Sequence, residues 1–542
     1  MRGLSAVKYF NRSLVLGCSL LALSACGPDD VASPGNSSGV TVNISTPTPS
    51  PTPTPTGPAT VTPAGTCPTI ADPQGLTDKG TISGPTGTYR VCELPRTMKV
   101  SSTLPKVAGL LYSLNGRVDV GCDGGFSAPT TGAPYTSTTV GCSTPLTKDT
   151  NVTLTIAPGV ILFGNTGQSW LAVNRGNKIM AEGTATAPIV FTSKDNVGGL
   201  NSDNSIGQWG GVVLLGRGKI TDCNYGSVAS GTCERDTEGA VDKAIFGGND
   251  DNDNSGVIKY VQIRYSGFVL SADKELQSLT NEGVGSGTVI DYLQSHNSSD
   301  DGSETFGGDL GMSHYIVTGA DDDSLDVDAG ARLRVQHALL LQRPGQGDTF
   351  MEIDSNGKED DTPRTRLVVA NFTAVQPQAS AQNDGSGDLA ATMFRGNSDT
   401  TLVDGVIYAP NNECIRMNGS GTTPATLKAF SVVLTCNSTK YIGTGSFTAA
   451  NVATAFGSGS NNNNDSLTST LTSLFVNGAN EDGVAVTDAA TYNFAPLSTF
   501  FTTPTHIGAA YSGNTSWYSG WTCNSSYAPL GGGSACTSLP TT

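Results

Sequence analysis

Apolar residues come in short alternating bursts along this chain, and the bursts recur. Asn151–Phe163 reads NVTLTIAPGVILF and Trp170–Ser193 reads WLAVNRGNKIMAEGTATAPIVFTS, each a strand, a glycine turn and a strand. WGGVVLL (Trp209–Leu215), VIKYVQIRY (Val257–Tyr265), VIDYLQSH (Val289–His296), SHYIVTG (Ser313–Gly319) and VQHALLLQR (Val335–Arg343) continue the series. RLVVANFTAV, LVDGVIYAP and LKAFSVVLTC extend it. Such runs, bounded by Gly, Asn, Asp and Ser, read as strands. Tyr292, Tyr315 and Ala338 stand at equal steps of 23 residues. A unit this short cannot bury its own apolar face, so the units must stack as a solenoid. With strands in each unit the stack is a parallel β-helix, each turn of chain about 4.8 Å above the last. A sandwich or propeller competes, but propeller blades need ~40–45 residues, well above the observed step.

The first residues break this pattern. Arg2, Lys8 and Arg12 precede an apolar run from Leu14 to Leu23, too short to span a bilayer, which takes about 20 residues. This is the layout of an export signal. Leu23-Ser24-Ala25-Cys26 resembles the bacterial lipobox, which implies cleavage before Cys26 and lipidation of its thiol. An ordinary signal peptide with an incidental cysteine is the alternative. Gly27, where an Asp would suggest inner-membrane retention, points to the outer membrane. Thr46–Thr56 alternates Pro with Thr or Ser, making a stiff, extended tether. The expected organisation is a signal over 1–25, a lipidated Cys26 and tether over 26–66, and a disulfide-containing β region over 67–150. The β-helix follows over 151–440, then C-terminal rungs and a cap over 441–542.

Composition narrows the partners. The chain has 47 acidic and 30 basic residues, a net charge of −17, and no basic cluster, which argues against nucleic acid. Ten cysteines lie beyond Cys26. Neighbours along the chain suggest Cys67 with Cys92, Cys122 with Cys142, Cys223 with Cys233, Cys414 with Cys436 and Cys523 with Cys536, although sequence alone does not fix the connectivity. No pair has zinc-ligand spacing, and an exported chain meets an oxidising compartment, so disulfides are favoured.

The segments LTIAPGVILFG, RGNKIMAEGTATAPIVFTS, WGGVVLLG, NEGVGSGTVIDYLQSHNSSDDGSETFGGD, TGADDDSLDVDAG and GWTC together resemble a family of large exported bacterial proteins. The resemblance covers roughly residues 150 to 530. It implies frequent lipid anchoring, a right-handed parallel β-helix of the pectate-lyase superfold, and no established activity. The expected fold is therefore all-β, a right-handed parallel β-helix with a disulfide-pinned N-terminal region and a C-terminal cap. One departure stands out. Members often carry large apolar residues around the glutamate of the SETF segment, where this chain has Ser303 and Thr305, which implies looser packing behind Glu304.

The candidate chemistry is acidic. Aligning repeats by their turns places Gly302-Ser303-Glu304-Thr305 over Ser324-Leu325-Asp326-Val327 and Phe350-Met351-Glu352-Ile353. Ser303, Leu325 and Met351 then form one inward column and Thr305, Val327 and Ile353 another, with Glu304, Asp326 and Glu352 pointing out between them. The turns before these strands carry Asp300, Asp301, Asp321, Asp322, Asp323 and Asp348; Asp328 and Asp354 follow them. Carboxylates stacked at the strand spacing repel by about 1 to 3 kcal/mol per neighbour even when screened. The ladder must therefore be solvated, protonated or neutralised by cations. Calcium suits it, since it takes 6–8 oxygens from carboxylates, carbonyls and water. The expected metal ligands are Asp300, Asp301, Glu304, Asp322, Asp323, Asp326 and Glu352. Asp251 and Asp253 in GGNDDNDNSG are further candidates, although a plain Asn/Asp-rich turn explains that loop equally well.

Three function classes remain. A surface binding or adhesion module fits the anchor, the tether and the repetitive acidic face, with a polysaccharide or a surface protein as partner. A polysaccharide-active enzyme is second. A hydrolase would draw on Asp301, Glu304, Asp322 and Asp326, because inverting hydrolysis uses carboxyls ~6.5–9.5 Å apart. A lyase would use Lys259, Arg264 or Arg343 as base. An accessory lipoprotein of an outer-membrane uptake or secretion system is third. His314 and His337 share a column and read as structural or surface residues, whereas His296, before the Asp300–Asp301 turn, could orient that turn or serve a site. Trp517 and Trp521 are expected to cap the last rung, with the Cys523–Cys536 loop as a clamp; a sugar platform is the alternative. No serine elbow, nucleotide-binding glycine loop, haem motif or zinc-protease motif is present.

Overall fold

The computed structural model describes residues 60–540, apart from 272–273, 356, 381–390, 420, 496, 498–499 and 532. The signal, Cys26 and the proline-rich tether core lie outside the described residues. What is described is a parallel β-helix built on two sheets, one of 15 strands and one of 11. Each turn of the helix contributes one short and one long strand. Ser303–Phe306, Asp326–Asp328, Met351–Ile353 and Thr392–Phe394 are successive short strands. Asp309–Thr318, Arg332–Leu341, Arg366–Val375 and Asp399–Ala409 are the long ones between them.

The interior consists of columns of side chains, one per rung. Ile290, Met312, Val335, Val369, Leu402 and Ala429 stack in register and are all buried. A parallel column runs Leu293, Tyr315, Ala338, Phe372, Gly405, Val432. It shows how volume is shared between rungs. A Cβ added to Gly405 would stand 2.1 Å from the Phe372 ring, so glycine is there to let the phenyl overhang the next strand.

Every long strand bends at one residue held at positive φ. Tyr260, Tyr292, His314, His337, Asn371, Asp404 and Ser431 have φ between 50° and 61°. They occupy the position left out of each strand register, so they too form a column. The left-handed conformation disfavours L-residues by roughly 1–2 kcal/mol each. Aromatic stacking offsets part of that: ring centroids are 4.3 Å apart for Tyr260–Tyr292, 4.1 Å for Tyr292–His314 and 4.9 Å for His314–His337. His314 and His337 are thus members of a structural stack, as their shared column suggested.

All five expected disulfides form: Cys67–Cys92, Cys122–Cys142, Cys223–Cys233, Cys414–Cys436 and Cys523–Cys536. Two expectations change. Leu110–Leu114 and Arg117–Val120 already belong to the two main sheets, so the β-helix begins before residue 151, and 60–540 is continuous with one unit. The last rung is capped by the helix Ala449–Phe456, whose Val452 and Phe456 enter the core, and not by Trp517 and Trp521.

The segment beyond that helix runs back along the flank of the solenoid. Gly508 N–H donates to the Asp404 carbonyl at 2.8 Å and the Asn371 amide donates to the His506 carbonyl at 2.8 Å. Trp517 reaches His314 and His337, and Trp521 packs edge-on against Tyr260 and Tyr292. Cys523 N–H donates to Gln294 at 2.8 Å, and Arg264 donates to the carbonyls of Cys536 and Ser538 at 3.0 and 2.8 Å. The segment is a strap over the column of bends. The tryptophans are buried in it because their large apolar faces cover the Tyr–His stack.

Candidate functional site

The short strands place the acidic residues in the predicted register: Glu304 pairs with Asp326, and Asp326 with Glu352. Strand alternation sends Ser303, Thr305, Leu325, Val327, Met351 and Ile353 inward, all fully buried, and the carboxylates outward. Behind Glu304 the interior is polar. Asn281 donates to the Thr305 hydroxyl at 3.4 Å, and Ser278 exchanges 2.6 Å hydrogen bonds with Ser266 and Ser295. Small hydroxyls fill the place of the large apolar pair that the family resemblance implied.

The outward column is not a solvated edge. Glu304 is 8% exposed, Glu352 9%, and Asp301 and Asp323 4% each. They line a cleft of about 270 Å³ with Asp300, Asp322, Asp326 and Asp348. Glu238 and Glu275 add two further carboxylates from the long excursion between Leu215 and Leu279. Three groups of carboxylate oxygens each lie within 4.8 Å of one another: Asp300, Asp301 and Asp322; Asp301, Glu304 and Asp326; and Asp322, Asp323 and Asp348. Arg395 is the one cation among the described lining residues. It binds Glu352 at 2.6 Å and Asp354 at 3.0 Å, closing one end of the cleft.

The turn aspartates also have a structural task. Asp301 accepts from the Asp323 N–H at 3.0 Å, and Asp323 accepts from the Thr349 N–H and hydroxyl, both at 2.7 Å. Asp301 and Asp323 thus each hold the backbone of the next turn. Among the described residues, no backbone N–H supports Glu304 or Asp326 in this way. The Asp326 Oδ1 is buried without a hydrogen-bond partner, and Glu304 faces Asp326, Asp300, Glu238 and Asp328.

Burial and mutual repulsion act in one direction on these groups. Desolvation, with Asp322 next, pushes Asp300 up to about 8. Desolvation followed by neighbouring carboxylates drives Asp301, Glu304, Asp323 and Asp326 well above the usual carboxylate range. Asp328 is pushed to about 7 by burial and Asp354. Glu352 rises to about 7 through burial, despite the opposing Arg395.

Several candidates fall elsewhere. Asp251 is ion-paired with Lys219 and Arg332, both at 2.7 Å, so its carboxylate is already neutralised. Asp253 is half-buried, and desolvation pushes it up to about 6. Asn252 N–H donates to Asp250 and Gly256 N–H to Asn254, the side-chain turns of an Asn/Asp-rich loop, and neither Asp251 nor Asp253 joins a carboxylate group. Arg264 is fully buried beneath the strap and cannot reach a substrate as a base. Lys259 pairs with Asp291, and Arg343 with Asp321. His296 is fully buried against Thr318, at 2.8 Å, and the two cysteines beside it form a disulfide. It does not orient the Asp300–Asp301 turn.

Sequence reasoning missed Arg395, Glu238, Glu275 and the fully buried Glu282, which Thr237 meets at 2.6 Å. Arg395 was within reach of the register: Ile353 pairs with Phe394, which sets the residues after them side by side. Glu238 and Glu275 sit in irregular chain with no periodic signal.

The cleft thus lies on the outer face of the short-strand sheet, where the turns of successive rungs bring their acids together. No curated protein and no solved structure matches this chain. A family model, the pectate-lyase-like beta helix domain, matches residues 136–522. The chain belongs to that family of β-helix domains.

Proposed function

We propose that this protein is a lipid-anchored binding module of the outer membrane whose acidic cleft is neutralised by calcium. The observation that carries the reading is the cleft itself, in which three overlapping carboxylate groups share Asp301 and Asp322 while Arg395 neutralises only the far end. Buried carboxylates without counter-charge must hold protons or bind cations. An all-oxygen donor set fits a hard cation and excludes the sulfur and nitrogen preferences of zinc. Asp300, Asp301, Glu304, Asp322, Asp323, Asp326 and Asp348 would hold it. Such an ion supplies positive charge and open coordination positions for ligand oxygens. The Pro/Thr tether and Cys26 support display away from the membrane, and lipid chains contribute about 0.8 kcal/mol per buried CH₂.

Terbium luminescence and calorimetry on the purified protein test the cation. Saturable binding, competed by calcium and lost in Glu304→Gln/Asp326→Asn, is expected. Absence of binding at millimolar calcium rules it out, since extracellular calcium modules bind in roughly the 10⁻⁴–10⁻³ M range.

A second reading, glycoside hydrolysis, is favoured by one observation. Asp300 and Glu352 are pushed to about 8 and 7 by burial, which suits general acids at neutral pH. Release of reducing ends from an acidic polysaccharide, abolished by Asp300→Asn or Glu352→Gln, would establish it.

A further inference from the structure

Where the strap crosses the strand Val289–His296, three fully buried side chains meet: His296, Cys523 and Cys536. An imidazole nitrogen and the two sulfurs lie within 4.8 Å of one another. The hydrogen bonds around the ring say which nitrogen has a lone pair to give. The Thr318 hydroxyl donates to the Ser295 carbonyl at 3.2 Å, so at 2.8 Å it accepts from the His296 Nδ1–H. A proton on Nδ1 leaves Nε2 bare, and Nε2 is buried with no hydrogen-bond partner. An imidazole oriented through one nitrogen, with the other free, is how a histidine is prepared to ligate a metal.

The cysteines are joined as a disulfide, but that bond is not what holds them in place. Cys523 N–H donates to the Gln294 side-chain oxygen at 2.8 Å, and the Gln294 amide donates back to the Cys523 carbonyl at 3.1 Å. The Cys536 carbonyl accepts from Asn196 and Arg264, each at 3.0 Å, and its N–H donates to the Asn524 carbonyl at 2.8 Å. Opening the S–S bond therefore leaves both sulfurs beside His296. The loop between them is exposed at Ser526, Pro529, Gly531, Gly533 and Ala535, so lifting it admits a reductant. Arg264 supplies a further clue. It is fully buried, it donates to Gln262 and to the carbonyls of Cys536 and Ser538, and among the described residues no carboxylate is ion-paired with it. A buried cation without a counter-charge is costly, and thiolates at Cys523 and Cys536 would supply that charge.

Two thiolates and an imidazole are a soft donor set, suited to copper(I) or zinc and not to calcium. Charge and ligand number separate the two. Copper(I) held by two thiolates carries one net negative charge, which Arg264 cancels. Zinc held by two thiolates is neutral, leaves Arg264 uncompensated, and in structural sites takes four protein ligands; among the described residues no fourth His, Cys, Asp or Glu joins this group. We infer that His296, Cys523 and Cys536 form a buried three-ligand copper(I) site when the disulfide is opened, so that the strap is clamped either by an S–S bond or by the metal. The opening is a two-electron step. A dithiol breaks the S–S bond, leaves two thiols on the protein and closes its own disulfide. Copper(I) then displaces both thiol protons to solvent as the two Cu–S bonds form. The site goes beyond the binding-module reading and does not depend on a cation in the acidic cleft.

The test uses the whole protein, treated with dithiothreitol until Cys523 and Cys536 alkylate, then freed of it without air. Copper(I) is titrated against a chromophoric chelator, with Cys523→Ser/Cys536→Ser and His296→Gln beside the wild type. Any other opened cysteines contribute alike to every sample, so the differences between samples report this site. The wild type is expected to bind one copper more than Cys523→Ser/Cys536→Ser, and His296→Gln to hold that ion about tenfold more weakly or worse. X-ray absorption at one equivalent of copper should show two sulfurs and one nitrogen in the wild type, a readout that needs no variant to fold. Equal copper in the wild type and the double variant, a copper shell without nitrogen, or zinc retained while copper(I) is excluded would overturn the site. Loss of the near-ultraviolet dichroism of the buried tryptophans on reduction would overturn it too, because the cysteines would no longer be held beside His296.

Discussion

Glu304 and Asp326 are the residues on which the electrostatics turn. In metal-free protein their carboxyls, with those of Asp300, Asp328 and Glu352, keep protons in the folded state that the unfolded chain releases near pH 4. The stability they contribute is full below about pH 4. It is lost as pH rises through the folded values, about 7 for Asp328 and Glu352 and about 8 for Asp300. Thermal unfolding in chelator should therefore give a higher midpoint at pH 5 than at pH 8. Glu304→Gln/Asp326→Asn, which removes two repelling charges, should raise the pH 8 midpoint above wild type. A midpoint that climbs from pH 5 to pH 8 in chelator would contradict the burial of these acids. The register of Glu304, Asp326 and Glu352 was legible because turns and inward apolar columns repeat. Their enclosure was not, because the walls come from Glu238, Glu275 and Arg395, two of which lie in chain without periodicity.

Among the elements, the returning strap is the feature least visible in the sequence. Its residues lack strand alternation, and its contacts join positions hundreds of residues apart, as Arg264 does with Cys536. In the sequence the motif around Trp517 and Trp521 reads as a cap, because a cap and a strap both bury aromatics. Trp521 is 1% exposed, so Trp521→Ala should destabilise by about 3–5 kcal/mol. Hydrogen exchange should then rise at Tyr292 and Gln294, beneath the strap, more than in the last rung at Tyr441–Gly445. Exchange that rises first in the last rung would restore the cap. Within the rungs, Gly405→Val should cost about 1–3 kcal/mol by overpacking against Phe372, measured by denaturant unfolding.

At the scale of the whole molecule, the solenoid was the most legible feature. The 23-residue step, the alternating runs and the turn glycines agree with one another, and local agreement of this kind is what specifies a fold. The five disulfides followed from proximity along the chain, because each joins cysteines only 10 to 25 residues apart. Function was less legible, since the same fold hosts binding proteins and enzymes, and only the side chains on its faces distinguish them. On this chain the acidic cleft is such a face.

The most direct measurement is the thermal midpoint of the protein at pH 8 against calcium concentration, with Glu304→Gln/Asp326→Asn beside it. A cation in the cleft predicts a rising wild-type midpoint, reaching about 2.7 kcal/mol of stabilisation at a hundredfold excess over the dissociation constant, and a flat response in the double variant. A wild-type midpoint indifferent to calcium, or a variant that responds equally, would contradict the account.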